Sequence, residues 1–113
     1  QVLARRAKAN TSRILMLADL EYNLDTLEVH RAGESVQLNP TALKILQALM
    51  ESSPSVVTRT ELETKVWGEE LPDSDSLRVH IHGLRASIDK PFKTALIQTR
   101  HGIGYRIVDP DAV

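Results

Sequence analysis

The sequence predicts an α+β domain built from an N-terminal antiparallel β-sheet, three helices and a C-terminal β-hairpin. Three observations carry this expectation. Apolar and polar residues alternate early in the chain, apolar residues then recur at helical spacing in three segments, and alternation returns around Gly102 and Gly104.

The first 13 residues are alanine-rich and basic and run into Asn10, Thr11 and Ser12, a polar stretch typical of a linker. Residues 1–13 are therefore expected to lie outside the core, with residues 14–110 as the folded domain and 111–113 as a tail. In the meander, Leu27 and Val29 alternate with Glu28 and His30, and Val36 and Leu38 flank Gln37, with Arg31, Ala32 and Gly33 as the turn between the two runs. Asn39 followed by Pro40 is an N-cap with proline in the first turn, and Leu43, Leu46, Leu49 and Met50 place a first helix reaching to about Ser52. Thr58 and Glu61 have the spacing of a capping box, which starts a second helix carrying Leu62 and Val66 inward and ending near Trp67 and Gly68.

Ser74 or Asp73 caps a third helix, whose apolar residues are Leu77, Ile81, Leu84 and Ile88. Steps of four, three and four residues keep these side chains within about 60° of one another, a narrow stripe suited to burial. The opposite face holds Asp75, Val79, His82 and Ala86, with Ser76 and Gly83 on one shoulder and Arg78 and Arg85 on the other. Arg78, His82 and Arg85 recur at i, i+4 and i+7 and form a ridge of hydrogen-bond donors. The closing hairpin has Leu96 to Thr99 as one strand, Arg100 to Gly104 as its tip, and Tyr105 to Val108 as the return.

Three strands, then three helices, then a hairpin is the order of a helix-turn-helix followed by a wing. A helix with small and donor residues on its outer face fits a major groove about 12 Å wide, and a hairpin carrying Arg100 and His101 can reach the neighbouring minor groove or backbone. Charge distribution agrees with that geometry although the chain is net −1: residues 14–73 carry four basic and eleven acidic side chains, while residues 74–113 carry six basic and four acidic ones and three of the four histidines.

Composition removes other classes of function. Hydrophobic residues at 42% and charged residues at 26% are those of a globular domain, and the absence of cysteine excludes disulfides, thiolate metal sites and cysteine nucleophiles. No apolar run approaches the roughly 18 residues of a membrane span and no signal-peptide pattern opens the chain, so a cytoplasmic protein is expected. Positions i and i+2 on a helix point about 200° apart, so His80 and His82 cannot share one metal ion. Without H-E-x-x-H, G-x-S-x-G, a phosphate loop or paired carboxylates in an apolar setting, neither catalysis nor a cofactor is expected.

Three local patterns carry a family resemblance: V-V-T-R-T-E-L at residues 56–62 with V-W-G at 66–68, L-R-V-H-I-H-G-L-R at 77–85, and T-R-H-G-I-G-Y-R-I at 99–107. Residues 17–108 resemble the winged-helix effector domain of OmpR/PhoB-type response regulators, and residues 1–13 resemble the end of a receiver domain and the linker that follows it. The resemblance implies sequence-specific binding of double-stranded DNA as the output of a two-component system. It assigns base contacts to Ser76 and Val79 and phosphate contacts to His80, His82 and Arg85, within a recognition helix that also presents Arg78 and Gly83. Arg59, Trp67, Thr99 and Tyr105 match backbone-contacting positions, Arg100 and His101 lie in the wing, and Glu69, Glu70 and Asp73 fall in a loop that can meet RNA polymerase. It further implies direct-repeat half-sites, a sensor kinase acting through a receiver domain absent from this chain, homodimerisation of the full-length protein and a monomeric isolated domain.

This sequence departs from the family pattern in three places: His101 stands where the wing has an arginine, Gly83 where the helix is often basic, and Arg78 where an acidic residue is frequent. Other readings stand beside these assignments. Arg78 and Arg85 as solvated helix charges would pair with Asp75 or Asp89, His80 would be a hydrogen-bonded structural histidine, and Trp67 and Tyr105 would serve the core first. Gly102 and Gly104 would supply positive φ in a tight hairpin. The competing function is a winged helix used as a protein-interaction module.

Overall fold

The computed structural model describes residues 13–68 and 76–110. Among these, strands β1 (Ile14–Leu17), β2 (Leu20–Asn23), β3 (Glu28–Arg31) and β4 (Glu34–Val36) form an antiparallel meander in the order β1-β2-β3-β4. Helix α1 (Pro40–Ser52), strand β5 (Val57–Thr58), helix α2 (Arg59–Trp67), helix α3 (Ser76–Ile88), and strands β6 (Ile97–Arg100) and β7 (Gly104–Ile107) follow. The last three strands make a second antiparallel sheet in the order β5-β7-β6. No helix among the described residues is long and apolar enough to cross a membrane.

The N-terminal sheet obeys the period of two. Leu20, Tyr22, Val29 and Arg31 turn inward, whereas Glu21 and Glu28 face out. Four strands occur where three were expected, because a tight turn at Ala18 and Asp19 separates β1 from β2 without any glycine, proline or asparagine to mark it; Ala18 takes φ 54°. Leu27, expected in a strand, sits instead at φ 62° in the β2–β3 turn and is exposed. Asn23 builds that turn: its Oδ1 accepts from the Asp25 and Thr26 backbone N–H groups at 2.9 and 3.1 Å. Ala32 and Gly33 both have positive φ, the two-residue hairpin geometry that matches strand twist, so Arg31 belongs to β3 and not to the turn.

Helix α1 is the centre of the molecule. Asn39 Oδ1 accepts from the Ala42 N–H at 2.8 Å, Pro40 occupies the first turn, and Ile45, Leu46 and Leu49 are fully enclosed. Helices α2 and α3 both pack against α1 and against each other, and strands β1, β5 and β7 also touch α1. The stripe Leu77, Ile81, Leu84 and Ile88 is completely buried, which commits one face of α3 to the core and fixes which face remains outside. Burying each such side chain contributes about 1.5–3 kcal/mol.

The α2 capping box forms as the sequence predicts, with Thr58 Oγ1 accepting from the Glu61 N–H at 3.1 Å and Glu61 Oε1 accepting from the Thr58 N–H at 3.0 Å. The Thr58 backbone N–H, then its hydroxyl, then the Lys65 charge hold the Glu61 carboxyl below its ordinary range. A carboxylate favoured in the folded state contributes stability above its unfolded pKa of about 4.3 and loses it as pH falls through the lower folded value. The midpoint of thermal unfolding should therefore fall on acidification from about pH 5 to pH 3 more steeply for the native chain than for Glu61→Gln. Parallel curves for the two proteins would show that the reciprocal cap carries none of this dependence.

The expected cap of α3 at Ser74 or Asp73 lies outside the described residues, as do residues 1–12, Glu69, Glu70 and Asp73 of the expected polymerase-contact loop, and residues 111–113 of the expected tail.

Candidate nucleic-acid interface

Because α3 buries its apolar stripe, Arg78, Val79, His82, Gly83 and Ala86 are exposed along the opposite side. Val79 retains 63% of its surface on this outer side. The hairpin stands next to this helix. Between them opens a groove of about 430 Å³ whose walls include Arg59, Arg78, His82 and Arg85 on the helical side and Thr99, Arg100, His101 and Tyr105 on the hairpin side. Ile81 also lines it.

Backbone pairing positions the hairpin. Val57 and Thr58 of β5 pair with Tyr105 and Gly104 of β7, and the Arg59 N–H donates to the Ile103 carbonyl at 3.3 Å. This last bond uses a donor that the first turn of α2 would otherwise leave unpaired. The wing tip is thereby tied to the start of α2, which brings Arg59 to the groove although it lies about 40 residues from Arg100 in sequence. Gly102 takes φ 76° in the turn, as expected for a hairpin tip. Gly104 has a different reason to be glycine: a Cβ on it would lie 2.1 Å from the Val57 carbonyl oxygen and 2.7 Å from Thr58 Cα.

Not every candidate residue shares the groove. Val79, His80 and Gly83 line a second depression of about 350 Å³ with Gln37, Asn39 and Ser87, on the side of α3 that faces the start of α1. His80 is half-buried with its ring 5.8 Å from that of Trp67, and so diverges from His82. Trp67 packs against the core, Tyr105 is buried with 8% of its surface open, and Ser76 is half-buried at the first position of α3. Asp89 does not neutralise Arg85; it is buried against Arg31 at 3.4 Å. Arg85 instead reaches the hairpin, donating from Nη2 to the Thr99 hydroxyl.

Two features escaped the sequence reading. Ile103 exposes 55% of its surface at the wing turn, next to the groove. An isoleucine between two glycines at a hairpin tip was the available signal, since a chain turning through glycines there has no core in which to hide it. The second feature is β5, only two residues long, which no periodicity could reveal.

The chain is 33% identical over 109 residues to the phosphate regulon transcriptional regulatory protein PhoB of Rhizobium meliloti, which covers 95% of this chain and 48% of that protein. It is likewise 33% identical over 108 residues to the DNA-binding response regulator MtrA of Mycobacterium tuberculosis H37Rv, covering 94% of this chain and 47% of the relative. The chain thus spans about half the length of these curated relatives. Among solved structures, the DNA binding domain of CpxR from E. coli superposes with a TM-score of 0.74 at 28% identity, over 85% of this chain and 96% of that one. These likenesses surround a direct match of residues 33–107 to the family described as "Transcriptional regulatory protein, C terminal", and a match over more than half of a chain with this winged-helix architecture makes it a member of that family.

Proposed function

We propose that this chain binds double-stranded DNA in a sequence-specific manner as the output domain of a two-component transcriptional regulator. The carrying observation is the groove between α3 and the hairpin, which gathers Arg59, Arg78, Arg85 and Arg100 with His82 and His101 on one side of a chain that is otherwise acidic. In this reading α3 enters the major groove, with Ser76 and Val79 against base edges and Arg78 and Gly83 at the same surface. His80, His82 and Arg85 hold phosphates, together with Arg59, Trp67, Thr99 and Tyr105, while Arg100 and His101 bring the wing to the neighbouring minor groove or backbone. Support comes from the exposed Val79 and from relatives described as DNA-binding response regulators.

The same reading extends to the whole regulator. Residues 1–13 join a receiver domain that a sensor kinase phosphorylates, and phosphorylation pairs two effector domains on direct-repeat half-sites, which raises the effective concentration of each at its site. Glu69, Glu70 and Asp73 belong to the segment that meets RNA polymerase. The isolated chain is then a monomer that binds weakly.

Fluorescence anisotropy against random and selected duplexes at several salt concentrations tests the proposal. With Arg59 and Arg85 on phosphates, affinity should fall roughly tenfold between about 50 and 200 mM salt. Val79→Ala should change the sequence recovered from a random duplex pool while leaving the salt slope as it is. A chain that stays folded and ignores duplex at the lowest salt would instead be a protein-interaction module.

A further inference from the structure

Arg85 joins the two elements that have to meet DNA at different places. From the wing-facing side of α3 its Nη2 donates to the Thr99 hydroxyl and, at 3.4 Å, to the Ile97 carbonyl, both on β6. Strand β6 is an outer strand of its sheet and pairs with β7 alone. The hairpin is therefore held at two sides: through the β7 backbone to β5 and the start of α2, and through the Arg85 side chain on β6 to α3.

We propose that the Arg85–Thr99 bridge is a positioning device, which fixes the spacing between α3 and the wing before DNA arrives and directs the Thr99 hydroxyl proton toward a phosphate. This rests on the DNA-binding reading above. A threonine hydroxyl has one proton to donate and two lone pairs. With one lone pair taken by a guanidinium, the oxygen is polarised, and its own O–H becomes a better donor to an anion in the groove. Arg85 is not used up by this role, because its Nε and Nη1 donors have no protein partner among the described residues. An unbridged wing would lose freedom on binding, whereas the bridge removes that freedom during folding and leaves less to lose at the DNA.

A double-mutant cycle measured by anisotropy, with the 113-residue chain and a duplex selected from a random pool, tests the bridge. Thr99→Val should weaken binding about tenfold and Thr99→Ser should bind within about twofold of the native chain. In an Arg85→Ala background, Thr99→Val should cost less than about twofold, because its partner is already gone. The salt slope separates the roles: Thr99→Val keeps it, while Arg85→Ala lowers it by about 0.9. Hydroxyl-radical footprints should show the wing's protection lost in Thr99→Val and that of α3 retained, a pattern that general destabilisation would not give. If Arg85→Ala fails to fold by circular dichroism, Arg85→Met takes its place in the cycle, since it keeps most of the apolar stem and removes every donor.

Equal losses from Thr99→Val with and without Arg85, or native affinity in Thr99→Val, would overturn the bridge and leave DNA binding standing. A native chain that binds no duplex at all would overturn both.

Discussion

Replacing Arg31 by alanine should destabilise the domain by about 3 kcal/mol or more and lower its unfolding midpoint by more than about 10 °C, the effect of stranding one member of a buried ion network. Arg31 has no exposed surface, and each of its nitrogens is engaged. Its Nε donates to Asp19 at 2.6 Å, Nη2 to the Thr94 hydroxyl at 2.7 Å and its carbonyl at 2.9 Å, and Nη1 to the Ile88 carbonyl and to Asp89. The Phe92 ring lies 5.1 Å from the guanidinium carbon. These partners sit on the β1–β2 turn, the C-terminal end of α3 and the segment that leads into β6, so one side chain from β3 closes three chain segments together. The Ile88 carbonyl is among those that the last turn of α3 leaves without a helical partner, and a cation there also meets the negative end of the helix dipole. Asp89 completes the junction by accepting from the Leu96 and Ile97 N–H groups at 3.0 and 3.2 Å.

The alanine variant would leave Asp89 as a buried charge with only those amides around it and would also open a cavity. Arg31→Met separates the two costs, because it refills most of the volume and restores none of the bonds. Urea unfolding of the native chain, Arg31→Met and Arg31→Lys should rank them in decreasing stability as native, Lys and Met, with Met still about 2 kcal/mol or more below native. An Arg31→Met protein as stable as the native chain would show that this network contributes nothing beyond packing.

Arg31 also marks the boundary of what the residues alone disclose. The α3 stripe, the two N-terminal caps and the hairpin were all legible, because each is written in spacing or in a capping residue within a few positions, and local rules decide them. The donor ridge Arg78, His82 and Arg85 was legible for the same reason: once Leu77, Ile81, Leu84 and Ile88 are inward, helical geometry assigns the rest. The sequence puts Arg31 in the turn because it precedes Ala32 and Gly33, and nothing nearby announces partners 57 and 63 residues further on. The split of the first strand pair at Ala18 failed for a converse reason. A left-handed residue was held there by strand pairing on both sides, against the local preference of alanine. At the groove, the helical contributors could be listed from sequence, whereas the anchoring of the wing through β5 could not, since it depends on a two-residue strand pairing across the fold.

That anchoring makes Gly104→Ala the second large expected effect. In most hairpins a glycine at the base of the returning strand could become alanine for a modest entropic gain, because its backbone here is not left-handed. At this position the methyl group would overlap the Val57 carbonyl and the Thr58 backbone, and those atoms belong to the strand that Gly104 pairs with. Backbone cannot rotate away as a flexible side chain can, so β5 and β7 must separate, with a cost of about 3 kcal/mol at the upper end of overpacking changes. Separation would also loosen the bond from the Arg59 N–H to Ile103 and release the wing tip from α2. The variant should therefore lose stability and, at temperatures where it remains folded, duplex affinity, with the hairpin contribution to the footprint disappearing before that of α3. Gly102→Ala provides the comparison: open space surrounds that position, and its positive φ predicts a loss of only about 1 kcal/mol from strain, with the β5–β7 pairing intact. Should Gly104→Ala prove no more costly than Gly102→Ala in thermal unfolding, the close approach of β5 to the wing would not be what holds the hairpin beside the recognition helix.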